Sequence, residues 1–251
     1  MLSMLEICID GVASARAAAA GGADRVELCA NLPEGGTTPS AGMIRAVRSV
    51  FAGGLMVIIR PRGYDFLYSE EEIQVMLHDI QVASALGADG VVIGCLTPEG
   101  RVDARICRQL VSAAKGMDIT FHRAFDLSRD LSEALEDVIA LGIQRVLTSG
   151  GQPDALLGVP VIGNLVRQAS GRASMMPGGG VTEINLRQIM QVTGAREIHL
   201  SARHSVCSTM QFRNSACSMG AFSKDHEYEW REASVEKIHR AKQAMAAHLA
   251  G

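Results

Sequence analysis

Short runs of β-branched and aliphatic residues alternate along this chain with longer segments whose apolar residues recur every three or four positions. The short runs predict strands near residues 5–9, 25–29, 55–60, 90–94, 118–122, 145–149, 173–176 and 197–201. Helices are predicted near 11–20, 40–50, 70–86, 103–115, 131–141, 160–170, 183–193 and 235–248. From Glu70 to Leu86, the residues Ile73, Met76, Leu77, Ile80 and Ala83 make one apolar stripe, the face that must lie on a sheet. Ser40, Ser69, Asp103 and Thr182 precede helical patterns at N-cap positions.

Four helix ends share one pattern: Gly22-Ala-Asp-Arg-Val-Glu-Leu, Gly87-Ala-Asp-Gly-Val-Val-Ile, Gly142-Ile-Gln-Arg-Val-Leu-Thr and Gly194-Ala-Arg-Glu-Ile-His-Leu. In each, the glycine suits a left-handed helix cap and the residues after it enter a strand. Their spacing of 52 to 65 residues is about two strand-helix units. The alternation therefore predicts an α/β fold, a single (β/α)8 TIM barrel with a parallel eight-stranded sheet, over residues 1–251. Two connections exceed what such a barrel needs, 30–39 after strand 2 and 202–234 after strand 8. The second contains Cys207, Met210, Cys217 and Met219 and is expected to act as a lid or an interface arm.

A second pattern lies inside the strands. Strands covered on both faces usually read as continuous apolar runs, yet here polar residues occupy one parity. Glu6 and Cys8 alternate with Leu5, Ile7 and Ile9; Glu27 and Cys29 with Val26 and Leu28; Glu197, His199 and Ser201 with Ile198 and Leu200. With the apolar parity on the helices, these side chains line the lumen and mouth, together with Arg60, Thr120, His122 and Ser149. Buried glutamates need partners, and Arg60, His122 and His199 are the expected ones for Glu6 and Glu27. A carboxylate pair on neighbouring strands would push one pKa upward, so Glu6, Glu27, Arg60 and His122 are candidates for acid/base catalysis.

The mouth also has equipment for an anion. Arg60 and Arg62 follow strand 3, Arg123 follows His122, and Gly178, Gly179 and Gly180 form a loop after strand 7, where barrels often hold phosphate. Cys8 and Cys29 share parity at the ends of sequential strands, and two thiolates suit Cu(I) or another soft metal. Buried free cysteine as plain packing is the competing reading.

Composition narrows the setting. With 47% hydrophobic but 4% aromatic residues, the core must be built from aliphatic side chains. A net charge of -3 gives nucleic acid no electrostatic support. No apolar run is long enough to span a bilayer, and Met1 leads straight into the first strand, so a cytoplasmic location is expected. Six cysteines without a CxxC pair are expected to be thiols.

The strings LEICID (5–10), GGADRVELC (21–29), EGGTTPS (34–40), RPRGYDFLYS (60–69), TFHRAFD (120–126), RVLTSGG (145–151), MPGGGVT (176–182) and FRNSACSMG (212–220) closely resemble the CutC family of copper homeostasis proteins. The match covers nearly the whole chain. It implies a (β/α)8 barrel connected with copper homeostasis, binding Cu(I), and forming a homodimer or larger homo-oligomer. The family's proposed copper ligands fall on Cys8 and Cys29. Tyr64 stands where the family often has glycine. Two readings follow: a copper-binding protein, or a barrel enzyme that holds a small phosphorylated or carboxylated metabolite with its Glu/Arg/His cluster.

Overall fold

The computed structural model describes residues 3–214, 216–217, 219 and 227–250. Eight parallel strands alternate with eight helices: β1 (Met4–Ile9), α1 (Val12–Gly21), β2 (Arg25–Leu28), α2 (Ala41–Arg48), β3 (Gly54–Ile58), α3 (Glu70–Ala85), β4 (Gly90–Ile93) and α4 (Ala104–Ala113) form the first half. The second half is β5 (Asp118–Phe121), α5 (Leu131–Ala140), β6 (Arg145–Thr148), α6 (Val159–Ala169), β7 (Ser174–Pro177), α7 (Leu186–Thr193), β8 (Glu197–Leu200) and α8 (Val235–Ala250). The sheet runs β7-β6-β5-β4-β3-β2-β1-β8 and curls until β7 returns beside β8, which makes the (β/α)8 barrel.

The four repeat glycines are all left-handed, with φ of 82° at Gly22, 84° at Gly87, 74° at Gly142 and 74° at Gly194. A side chain at these turns would strain the backbone that swings each helix into the next strand. Ser40, Ser69 and Asp103 cap their helices, and Ser69 with Glu72 completes a reciprocal capping box. Thr182 does not cap α7 directly. It accepts hydrogen bonds from the N–H groups of Ile184 and Asn185 in a preceding turn, so the helix starts at Leu186, three residues later than its pattern suggests.

The stripe of α3 behaves as its spacing requires: Ile73, Met76, Ile80 and Ala83 are buried against the sheet. Each large aliphatic side chain so buried contributes about 1.5–3 kcal/mol. The long connection after β8 contains an antiparallel hairpin, β9 (Arg203–Cys207) and β10 (Glu229–Ala233). The middle of that connection, 215, 218 and 220–226, lies outside the described residues. Among the described residues, no helix is long and apolar enough to cross a membrane.

Candidate functional site

Strand register decides which side chains share the lumen. Glu6 pairs with Arg25 and with His199 across the two ladders of β1, and Cys8 pairs with Glu27. The even strands accordingly stack side chains in layers of four, as TIM barrels do. Arg25, Gly90, Arg145 and Glu197 form the lowest layer, and Glu27, Val92, Leu147 and His199 the next. Cys29, Gly94, Ser149 and Ser201 follow at the mouth.

The lowest layer is a buried ion network. Arg25 donates to Glu6 through Nε and to Glu197 Oε2 through Nη2 at 2.6 Å, while Arg145 Nε reaches the same Glu197 oxygen at 2.6 Å. Arg145 Nη1 also donates to Thr120 Oγ1 at 3.1 Å. Burial would raise the Glu6 pKa, but the Arg25 guanidinium and the hydrogen bond from His199 outweigh it and hold Glu6 down at about 2. Glu6 is thus a fixed anion.

One layer up, the same residue type is shifted in the opposite direction. Burial first, then the neighbouring Cys8 thiolate, push Glu27 up to about 8. His199 lies between the two carboxylates, its Nδ1 2.8 Å from Glu6 Oε1 and its Nε2 3.6 Å from Glu27 Oε2. Burial disfavours the imidazolium, yet the hydrogen bonds to Cys8 and Glu6 and the charge of Glu27 keep its pKa well above the ordinary value.

At the top, Cys8 Sγ and Cys29 Sγ are 4.0 Å apart. The hydrogen bond between them lowers Cys8 well below the usual thiol range and raises Cys29 well above it. Cys8 is the more acidic sulfur of the pair and Cys29 the less acidic. Glu27 completes a cluster whose Cys8, Glu27 and Cys29 ligand atoms lie within 4.8 Å of one another. All three border a cavity of about 610 Å³ at the barrel mouth, lined also by Arg60, His122 and Arg123.

The carboxylates do not meet the partners expected from sequence alone. His199 joins both glutamates, but Arg60 and His122 contact neither. Arg60 donates to the carbonyls of Glu34, Gly36 and Tyr64, each at 2.8 Å. His122 Nδ1 accepts from the N–H of Ala124 at 3.1 Å, and burial followed by the Arg60 charge pushes its pKa down to about 3. Arg25 and Arg145 take the pairing role because their long side chains rise from the strand starts.

The expected anion groups divide in the same way. Arg62 is held by Glu72 at 2.6 Å and by Asp65 at 2.9 Å, away from the residues lining the cavity. Gly178 donates its N–H to Thr148 O at 2.9 Å, while Gly179 and Gly180 border the cavity. The loop after β6 already holds an anion from the chain itself. Asp126 accepts from the N–H groups of Ser149 and Gly151, from both hydroxyls of Thr148 and Ser149, and from Arg123 Nε at 2.8 Å.

Residues 3–204 match the model of the CutC family. The chain belongs to the CutC family. A CutC protein of Bacteroides fragilis is 49% identical over 247 residues, which is 98% of either chain. The human copper homeostasis protein cutC homolog is 47% identical over 246 residues, covering 98% of this chain and 90% of its own. The crystal structure of the CutC protein of Streptococcus agalactiae superposes with a TM-score of 0.77 at 34% identity, over 80% of this chain and 99% of that one.

In this CutC barrel, sequence reasoning missed Arg25 and Arg145. The signal was available: each stands three residues after a repeat glycine, the lumen-facing position that Glu197 occupies in the fourth repeat.

Proposed function

We propose that this CutC-family chain is a copper-handling protein that takes Cu(I) as its cargo between Cys8 and Cys29, with Glu27 beside them. The observation that carries the reading is the sulfur pair itself: two buried sulfurs 4.0 Å apart at an open mouth. Two ligands each about 2.3 Å from one ion can lie up to about 4.6 Å apart, so this separation fits a shared metal without backbone movement. Soft thiolate donors favour Cu(I) over hard cations.

The surrounding charges support the same reading. The Cys8 thiol is held well below its usual range, which favours the thiolate, the form that ligates. His199 offsets the negative charge that would otherwise build up when Cys29 also loses its proton. A reducing compartment is the natural setting, because it keeps both sulfurs available as thiols. The name of the human relative, a copper homeostasis protein cutC homolog, points the same way for that protein.

The test is an anaerobic competition titration of Cu(I) against a chromophoric chelator, using the unmodified protein and the double substitution Cys8→Ser, Cys29→Ser. One tightly held copper per chain, lost in the double variant, is the expected result. Equal affinities for the two proteins would remove the thiol pair from the reading.

A further inference from the structure

Three buried polar atoms near the end of β3 have no hydrogen-bond partner: Arg60 Nε, Tyr68 Oη and His122 Nε2. They are neighbours. The Arg60 guanidinium lies 4.9 Å from the centre of the Phe66 ring, whose centre is 4.8 Å from that of the His122 imidazole. Arg60 is also close enough to Tyr68 for its charge to act on the phenol, whose pKa burial nonetheless raises.

His122 and Arg60 present donors, and the Tyr68 hydroxyl can donate as well as accept. Nδ1 of His122 accepts from Ala124, which leaves the ring proton on Nε2, and burial keeps the imidazole neutral. Among the described residues no ion pair includes Arg60; its Nη1 and Nη2 donate to the carbonyl oxygens of Glu34, Gly36 and Tyr64, and the Tyr68 phenol lies beside it. A buried polar group without a partner is costly, so the guanidinium Nε and the two groups beside it are an arrangement that an incoming oxygen would relieve.

We propose that Arg60, His122 and Tyr68 form a binding site for the carboxylate of a small organic acid, entered from the mouth cavity past Phe66. Arg60, Phe66 and His122 all line that cavity. Its volume of about 610 Å³ far exceeds what a metal ion needs and suits a small molecule. One guanidinium with two neutral donors matches a single negative charge.

The site is tested on metal-free protein labelled with nitrogen-15 histidine, titrated separately with butyrate and with inorganic phosphate. Butyrate is expected to shift the His122 Nε2–H resonance saturably. His122→Leu should weaken butyrate binding at least roughly tenfold, whereas His122→Gln, which keeps a donor near the same place, should stay within about threefold. If His122→Leu does not fold, Tyr68→Phe removes one donor at nearly constant shape and should weaken binding about threefold to tenfold. The Cys8→Ser, Cys29→Ser protein should still bind butyrate, which separates this site from the copper reading. No shift of the His122 resonance, phosphate binding in place of butyrate, or equal affinity in the unmodified and Tyr68→Phe proteins would each overturn the proposal. So would a butyrate-soaked crystal with only a water between the three donors.

Discussion

His199 Nδ1 lies 2.8 Å from Glu6 Oε1, and through that bond the anion at the barrel floor is linked to the thiol at its mouth. The imidazole, held in place and kept charged by Glu6, turns its other edge toward Glu27 and hydrogen-bonds Cys8. Strand register makes this contact: Glu6 and His199 are Cα partners across β1 and β8.

Replacing His199 by Asn keeps a nitrogen near Glu6 but removes the edge that faces Cys8. The thiolate fraction of Cys8 at neutral pH should then fall, visible as lower ultraviolet thiolate absorbance. The pH at which iodoacetamide alkylation reaches half its maximal rate should move upward by as much as the pKa rises. Cys29→Ala should have the larger effect, since the Cys29 hydrogen bond is the leading cause of the low Cys8 pKa. Absorbance unchanged in both variants would mean that Cys8 is not held as a thiolate.

Glu6→Gln removes one side of a buried ion pair and leaves Arg25 with Glu197 alone. Losing a buried partner costs about 3 kcal/mol or more, because the remaining charge stays desolvated. A urea melt should show this loss. Glu6→Gln combined with Arg25→Met should recover part of it, and a double variant no more stable than the single one would place the effect elsewhere.

Much of this network can be read from strand parity. The polar positions 6, 8, 27, 29, 122 and 199 face inward because a strand alternates sides at every residue. Parity, however, sets only a direction. Which inward groups touch depends on the stagger between strands and on side-chain length, and so Arg25 and Arg145 reach the glutamates while Arg60, at a strand end, bends out to loop carbonyls. The β6 loop was equally ambiguous. Its glycine-rich N–H groups suit an anion, and the folded chain shows that Asp126 already fills that place.

His122 makes the fold sensitive to mild acid. In the unfolded chain its imidazole titrates near 6.5, whereas in the barrel it stays neutral down to about 3. The unfolded state therefore binds the extra proton between these values, so the stability present above pH 6.5 is lost as pH falls toward 3. From pH 6.5 to 5 this amounts to about 2 kcal/mol. Unfolding free energies measured across that interval should fall less steeply for His122→Gln. Identical slopes would show that His122 is not the titrating group. Glu6, whose pKa falls from 4.5 to about 2 on folding, adds its own loss only below pH 4.5.

Copper uptake should respond to pH in the opposite region. Cys8 is held well below the usual thiol range, but Glu27 keeps its proton up to about 8 and Cys29 is raised well above the usual thiol range. A metal that engages these groups must expel those protons, so its apparent affinity rises with pH, about tenfold per unit for each proton released. Competition titrations between pH 6 and 8, corrected for the chelator's own protonation, should give a slope near two if both Cys29 and Glu27 deprotonate. In Glu27→Gln the slope should drop to about one, because the amide has no proton to lose. A slope of one in both proteins would show that copper is held by the sulfurs while Glu27 stays protonated beside them. A flat profile would mean that the metal displaces neither proton and binds outside the Cys8–Cys29 pair.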